Sequence, residues 1–359
     1  MTRLLLLAAV ALGWATAGPG EPGGVSAAPA LVYVANQAAA QVTVIDPVRD
    51  SVVATVDLTA LGFTSHAKPH HVAVEPDGSY WYVSLVGDNL VVKFDRSNKV
   101  VARAEMETPG LLALDPRSDN LFVTRSMSAV RAPSRIGVIK RSTMAIEEVD
   151  VVVPRPHAVA VSADGRFAYV GSLGTNQIAV YDVARDRADL VDVPGSTNRV
   201  IVQFAVSPDG KSLAATAQLT GEVLGFGLED PAHPALAHVV QAGQWPWHLL
   251  FTPNNREIWV PNQQSNDVTV IDAATWKVTR TITDSGFAQP HGIAMTPNGL
   301  VMISNHNSGH TMDMGGVQMA MGMTDRPGRV VVIDAARHQV IRRLTTAPDG
   351  AGMGAGGTR

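Results

Sequence analysis

One pattern recurs along most of this 359-residue sequence. In its clearest copy, residues 247–272, an apolar run leads into a Pro-Asn-Asn turn, a second apolar run, a polar loop and a third run ending in Asp. The turn recurs every 40 to 47 residues, at positions 76, 116, 163, 208, 253 and 297. Short strands in repeats of this length are typical of propeller blades. The sequence therefore predicts an all-β protein, a seven-bladed β-propeller of four-stranded antiparallel blades.

The two ends of the chain do not follow the repeat. Residues 1–17 contain Arg3, an apolar run and a final Ala-Thr-Ala, and we interpret them as a cleavable signal peptide, too short to span a bilayer. We predict a flexible leader at 18–30, the propeller at 31–345 and a Gly-rich tail at 346–359. The first blade then shows three strands, because the tail is too rich in glycine to predict a closing strand. The protein is expected to be periplasmic or secreted.

The repeat texts also carry a family resemblance. VYVAN, YVGSLGTNQIAVYD and PHAVAVSADG resemble the YVTN family of β-propeller repeats, which occur in exported and surface-layer proteins of bacteria and archaea. The resemblance covers residues 31–344 and implies the fold but not an activity, since one fold hosts many functions. Related propellers hold copper ringed by histidines, as in nitrous oxide reductase, or a d-type haem, and others are lactonases.

Composition excludes several functions. The formal net charge of −4 argues against bulk attraction to nucleic acid or anionic lipid, and no stable membrane span is predicted. There is no cysteine, so a metal must use His, Met, carboxylate or backbone oxygen. No G-x-S-x-G, H-E-x-x-H or phosphate-binding Gly loop occurs. Repeated aspartates at the ends of third strands are interpreted as turn caps. We therefore predict no catalytic residues and a binding protein rather than an enzyme.

Antiparallel blades place the connections between blades and the loops between second and third strands on one face of the disc. Several histidines and basic residues fall in these connections, three of the histidines directly after a proline before an inner strand. The predicted cofactor-binding residues are His70, His157, His248, Arg155 and Lys68. Because inner strands line the central channel, the histidines should ring its mouth. Alternatively, each histidine bonds a neighbouring carbonyl group, and the basic residues are ordinary solvated loop charges.

The loop between the second and third strands of blade seven, residues 305–329, is much longer than its counterparts and rich in methionine. Clustered thioethers and imidazoles favour copper in an exported protein. The predicted metal ligands are His306, His310, Met312, Met314, Met319, Met321, Met323 and, from the channel side, His291. A hydrophobic lid, a surface for a protein partner or a neutral insertion are the alternatives.

Two functional hypotheses follow from these patterns. The first is an exported, non-enzymatic propeller that binds a small ligand or protein partner on its His/Arg-rich face, with copper in the Met/His loop. The second is a periplasmic redox protein in which the channel histidines ligate a metal or haem and the basic residues neutralise propionates or an anionic substrate. Copper is the predicted cofactor and haem its alternative.

The methionine loop generates the first testable prediction. Replacing all five of its methionines with Ser should weaken Cu(I) binding, because the change removes the soft ligands that favour Cu(I). Titration of Cu(I) against a competing chelator measures the effect. Equal Cu(I) affinity in the variant and the wild type would show that the methionines are not ligands.

Overall fold

The computed structural model describes residues 30–307, 311–313, 318–320 and 326–356, with side chains described for 30–307 and 326–356. Seven four-stranded antiparallel sheets make up these residues, and the predicted seven-bladed β-propeller is confirmed. No helix among the described residues is long and apolar enough to cross a membrane.

The strands follow the chain blade by blade. Blade one contributes β1 (Val32–Asn36), β2 (Gln41–Asp46) and β3 (Ser51–Asp57), and a 3-10 turn follows at Thr59–Leu61. Blade two is β4 (Pro69–Val74), β5 (Tyr80–Leu85), β6 (Leu90–Asp95) and β7 (Val100–Glu105). Blade three is β8 (Pro109–Leu114), β9 (Asn120–Arg125), β10 (Arg135–Lys140) and β11 (Ile146–Asp150). Blade four is β12 (Pro156–Val161), β13 (Phe167–Ser172), β14 (Gln177–Asp182) and β15 (Arg187–Asp192).

The second half continues in the same order. Blade five is β16 (Ile201–Val206), β17 (Ser212–Ala217), β18 (Glu222–Gly227) and β19 (Ala235–Gln241). Blade six is β20 (Leu250–Phe251), β21 (Glu257–Asn262), β22 (Asp267–Asp272) and β23 (Lys277–Thr283). Blade seven begins with β24 (Pro290–Met295) and β25 (Leu300–Asn305). It passes through the hairpin β26 (Thr311–Asp313) and β27 (Gln318–Ala320), and ends with β28 (Gly328–Asp334) and β29 (Gln339–Thr346). The last strand is β30 (Gly350–Ala355).

Strand β30 corrects the predicted boundary at residue 345. It pairs with β1 as the inner strand of blade one, so the segment interpreted as a Gly-rich tail closes the ring. Its glycines have a physical cause. A Cβ on Gly352 would lie 2.6 Å from the His70 carbonyl oxygen, and one on Gly354 would lie 2.7 Å from that of Val72. Glycine therefore permits close backbone approach to blade two rather than marking an unstructured end.

The core lies between neighbouring blades. Trp81 stacks on Phe94 with ring centroids 4.1 Å apart and on Tyr33 at 4.8 Å, which joins blades one and two. Predicted turn caps are also present at the ends of the third strands. In each, the carboxylate accepts a backbone N–H from two or three residues further on: Asp46, Asp95, Asp182, Asp272 and Asp334. These aspartates stabilise turns, as the sequence predicted.

Every blade enters its inner strand through the same backbone device. A residue with a positive φ of 43° to 63° marks this point in all seven blades: Lys68, Thr108, Arg155, Val200, Trp245, Gln289 and Asp349. In six blades it immediately precedes the inner strand, whereas Trp245 of blade six precedes Pro246, which forms an isolated bridge to Asn262 ahead of β20. The register of the inner strand then shifts, as between Pro69 and Val72 in β4. A hydroxyl of the second strand takes the place of a ladder bond, for example where Ser84 Oγ accepts the His71 N–H at 3.1 Å. This irregular start sets the direction of the side chains at the channel mouth.

The closing strand generates a stability prediction. Gly352→Ala should lower the free energy of unfolding by about 1–3 kcal/mol, because the added methyl group overpacks against the backbone of β4. Urea unfolding measures the loss. Gly356→Ala is the matched control, since its nearest contact would be an ordinary 3.5 Å and its cost should stay within about 0.5 kcal/mol. Equal stability of the two variants would contradict the close approach.

Candidate metal-binding site at the channel mouth

Six buried imidazole rings form one cluster at the channel mouth, here called the histidine cluster. Its members are His70, His71, His157, His248, His291 and His306, each no more than 8% exposed. His291 is central, with ring centroids 4.4 Å from His306, 4.7 Å from His248 and 6.2 Å from His70. His157 joins through His70 at 6.3 Å, and His71 joins through His248 at 5.3 Å. Six histidines from four blades thus share one small volume.

The repeat explains why these rings meet. The second residue after the positive-φ residue is His70, His157 and His291 in three blades, and Gly110, Val202, Trp247 and Ala351 in the others. His248 follows Trp247, where the inner strand of blade six is interrupted, and its backbone N–H donates to the His291 carbonyl at 3.4 Å. Hydroxyl groups of the preceding blades hold the backbone at two of these positions. Thr124 Oγ1 donates to the His157 carbonyl, and Thr216 Oγ1 donates to the Trp247 carbonyl.

Two histidines are held by an acceptor at Nδ1. The Nδ1–H of His157 donates to the Arg125 carbonyl oxygen at 2.9 Å. His306 Nδ1 lies 2.5 Å from Oδ1 of Asp349, a fully buried carboxylate that requires a proton on that nitrogen. In both rings the neutral form therefore keeps a lone pair on Nε2. This arrangement, with Nδ1–H given to a carbonyl or carboxylate, is typical of metal-binding histidines.

Other members have buried polar atoms without a hydrogen-bond partner among the described residues. These atoms are His70 Nδ1, His248 Nε2, His291 Nδ1 and Asp349 Oδ2. His71 differs, because its Nδ1 accepts the backbone N–H of Leu112 at 3.3 Å and its proton must then lie on Nε2. His71 is consequently a donor in the cluster, whereas the other five can present a lone pair.

Burial keeps five of the six rings neutral. It lowers the pKa of His71 and of His157 from 6.5 to about 4. Burial, followed by repulsion from neighbouring histidines, holds the pKa values of His70, His248 and His291 well below 6.5. At neutral pH these rings are therefore unprotonated, which is the form that binds metals.

The predicted basic partners lie outside the cluster. Lys68 and Arg155 are exposed, and Arg155 Nη2 donates to the Met127 carbonyl oxygen at 3.1 Å. Other arginines of this face are ion-paired within their own region: Arg125 with Glu148 at 2.6 Å, Arg135 with Asp150 at 2.7 Å and Arg199 with Glu222 at 2.9 Å. These pairs favour a structural role for the basic residues over a shared anion-binding surface.

The long loop of blade seven is described in part. His306, at its start, lies in the histidine cluster, and its backbone N–H donates to the Gln289 carbonyl at 3.1 Å. Met312 pairs with Met319 across the β26–β27 hairpin, which is described by its backbone alone. His310, Met314, Met321 and Met323 lie outside the described residues, so the copper site predicted in the loop stays a prediction.

The cluster is not a formed coordination shell. Among the described residues, no group of three His, Asp or Glu side chains already surrounds a point in a way that could hold a metal ion. Binding a metal would require rotation of some imidazole rings. The ring centroids of neighbouring members are 4.4 to 6.3 Å apart.

The opposite end of the channel has a different character. A cavity of about 960 Å³ there is lined mainly by apolar side chains of the inner strands, including Leu112, Phe204 and Met353. None of its lining residues is a histidine. Of the two ends of the channel, the histidines therefore lie at the other one.

Sequence reasoning identified the repeated proline-histidine position and named His70, His157, His248, His291 and His306, all of which the structure brings together. It did not single out His71 or Asp349 as site residues. His71 had a visible signal, since it adjoins His70 as His248 adjoins Trp247. Asp349 had none, because it lies in the segment interpreted as a tail.

Comparisons with known proteins agree with a propeller but do not assign a function. Residues 143–231 match the family model "Lactonase, 7-bladed beta-propeller". No functionally curated protein matches significantly. Similar solved structures include Kuenenia stuttgartiensis hydrazine synthase, 21% identical with a TM-score of 0.62, covering 80% of this chain and 89% of that one. They also include a putative 6-phosphogluconolactonase from Bacteroides uniformis, 11% identical with a TM-score of 0.66, covering 91% and 100%.

A third similar structure is apo AztD from Citrobacter koseri, which is 10% identical with a TM-score of 0.63, covering 91% of this chain and 97% of that one. At such identities the likeness shows the fold alone. The matched family model spans a minority of the chain, and the YVTN resemblance in particular stays a prediction.

The neutral histidine cluster predicts acid sensitivity of the metal-free protein. An unfolded histidine binds a proton below pH 6.5, whereas burial lowers the pKa of His71 and of His157 to about 4 and holds the pKa of His291 well below 6.5. The contribution of these histidines to the free energy of unfolding should therefore be fully present above pH 6.5. It should fall as the pH drops from 6.5 toward 4, by up to about 1.4 kcal/mol per pH unit for each such histidine.

Urea unfolding between pH 7.5 and 4.5 in the presence of a chelator measures this slope. His248→Gln should flatten it, because the unfolded variant takes up one proton fewer. A variant slope equal to that of the wild type would contradict the buried, neutral state of His248.

Proposed function

We propose that this protein is an exported, non-enzymatic propeller that binds a transition metal, with copper the expected ion, at the histidine cluster. The observation that carries the proposal is the group of five neighbouring, buried imidazoles that can present lone pairs. Two of them are already oriented by Nδ1–H donation to a carbonyl and a carboxylate. The sequence hypothesis placed copper in the blade-seven loop; the described geometry favours the channel mouth as the centre of binding.

Packing alone does not account for the cluster. A histidine that serves only the core should have both ring nitrogens satisfied or exposed. Here three rings and one carboxylate retain buried atoms without partners among the described residues. Each such atom costs roughly 1–3 kcal/mol when left unpaired. A bound cation would satisfy these atoms together, whereas a fold that needed only stability would replace them with apolar groups.

The donor set indicates the class of metal. Imidazole nitrogen suits zinc, copper and nickel, and Cu(II) binds most tightly among the divalent first-row ions. The chain has no cysteine to favour an alternative thiolate site. The methionines predicted to join from the loop would add preference for Cu(I). Copper is therefore the expected ion, with zinc as the competitor that a titration must include.

The haem alternative has less support. His291 already contacts four aromatic rings, those of His70, His248, His306 and Trp247. A macrocycle could reach its nitrogens only after several of these rings moved away. In addition, Arg125, Arg135 and Arg199 are engaged with carboxylates and are not poised for propionates. A Soret band in protein purified from its native compartment would favour haem over the metal proposal.

The proposal predicts one tight metal site that depends on the cluster. Chelator-treated full-length protein should bind one equivalent of Cu(II), measured by competition titration, with Zn(II) binding more weakly. The double variant His70→Gln, His291→Gln should bind roughly 100-fold more weakly or worse, because it removes two imidazole donors. Thermal unfolding in the presence of chelator checks that the variant remains folded.

His233→Gln is the matched control for this titration. His233 is exposed, forms an ion pair with Asp230 at 2.7 Å and lies in a blade-five turn outside the cluster. Its substitution should leave the affinity unchanged. If the double variant and this control bound copper equally, the histidine cluster would not be the site.

A further inference from the structure

Asp349 connects the histidine cluster to the closure of the ring. It is the residue immediately before β30, where its φ is 63°, and it is fully buried. Its carboxylate Oδ1 accepts the proton of His306 Nδ1 at 2.5 Å, while Oδ2 is buried without a partner among the described residues. Among the described ion pairs, Asp349 pairs with His306 and with no lysine or arginine. A buried carboxylate with one free oxygen beside neutral imidazoles is suited to a cation.

The backbone around Asp349 is also where the two ends of the chain meet. The Asp349 carbonyl accepts the Gln37 N–H at 2.9 Å, and Asn36 Nδ2 donates to the Ala347 carbonyl at 2.7 Å. On the other side, Ser304 Oγ from blade seven donates to the Ala351 carbonyl. Asp349 therefore stands at the junction of blade one, blade seven and the histidine cluster.

Ring closure brings this carboxylate into the site. The other six inner strands are continuous in sequence with their own blades, whereas β30 joins β1 from the far end of the chain. If β30 separates from β1, Asp349 leaves His306 and the cluster loses its carboxylate. A ligand that needs the complete cluster binds the closed ring and not the opened one, so binding must favour closure.

We propose that Asp349 is a positioning residue of the metal site, and that metal binding through it locks the closing strand of blade one. This inference rests on the proposed function. Asp349 holds the His306 ring through its Nδ1 and so leaves the Nε2 lone pair for the metal, and its carboxylate offsets the charge of the bound cation. The closing strand then opens less often when the site is filled. Metal binding raises the ratio of closed to opened protein. At high metal concentration the increase is about the metal concentration divided by the dissociation constant.

Hydrogen exchange followed by mass spectrometry tests this coupling in the full-length protein. With Cu(II) at 100 times its dissociation constant, opening of β30 and β1 should become about 100-fold rarer. Amide exchange in peptides from both strands should slow by up to that factor. Peptides from β18 and β19, the outer strands of blade five, should exchange at the same rate with and without copper.

Asp349→Asn is the informative variant, because Asn tolerates the same left-handed backbone while removing the negative charge. Copper affinity should fall by about 10–100-fold, the usual effect of losing a carboxylate behind a metal-binding histidine. At saturating copper, metal should still slow exchange in β4 and β12, which carry cluster histidines. Its added protection of β30 should be lost. This difference between loaded and metal-free states would not arise from a purely structural role.

Asp284→Asn is the matched control. Asp284 lies in the connection before blade seven and pairs with Arg343, with no contact to the cluster. It should match the wild type in copper affinity and in metal-dependent protection of β30. If copper binds the wild type without protecting β30, or if Asp349→Asn matches the wild type, this inference is overturned while the proposed function stands. If the wild type binds no copper, the proposed function fails, and this inference with it.

Discussion

The pairing of β1 with β30 is the interaction on which the ring depends. A propeller with an open first blade would expose a sheet edge, and closure removes it. The closing strand must pass close to the backbone of blade two, which accounts for glycine at alternate positions. The same strand brings Asp349 beside His306. Stability of the fold and completeness of the site therefore rely on one contact between distant parts of the sequence.

The site arises from one position of the sequence repeat, which holds histidine in some blades and other residues in the rest. A residue with positive φ marks the same point in every blade, and the second residue after it is histidine in three of the seven copies. Blade six instead supplies Trp247, whose ring lies 4.8 Å from His291, together with the adjacent His248. Neutral imidazoles and one carboxylate give the mouth a composition suited to a cation. Three arginines of this face, Arg125, Arg135 and Arg199, are paired with Glu148, Asp150 and Glu222.

The repeat made the fold and much of the cluster predictable from sequence. The turn spacing indicates the blades, and the proline-histidine position places His70, His157 and His291 at one mouth. The closing strand was missed because composition does not distinguish a flexible glycine from one required by close approach, as at Gly352. The arginine pairs were missed because cross-strand partners such as Arg135 and Asp150 depend on register. Asp349 could not be recognised until the closing strand was known.

The central claim is that the histidine cluster, rather than the methionine loop, forms the centre of metal binding. X-ray absorption at the copper edge of the loaded, full-length protein tests it most directly. The account predicts a shell of nitrogen scatterers at about 2.0 Å with the outer-shell pattern of several imidazoles. A spectrum dominated by sulfur at about 2.3 Å, with no imidazole signature, would contradict it.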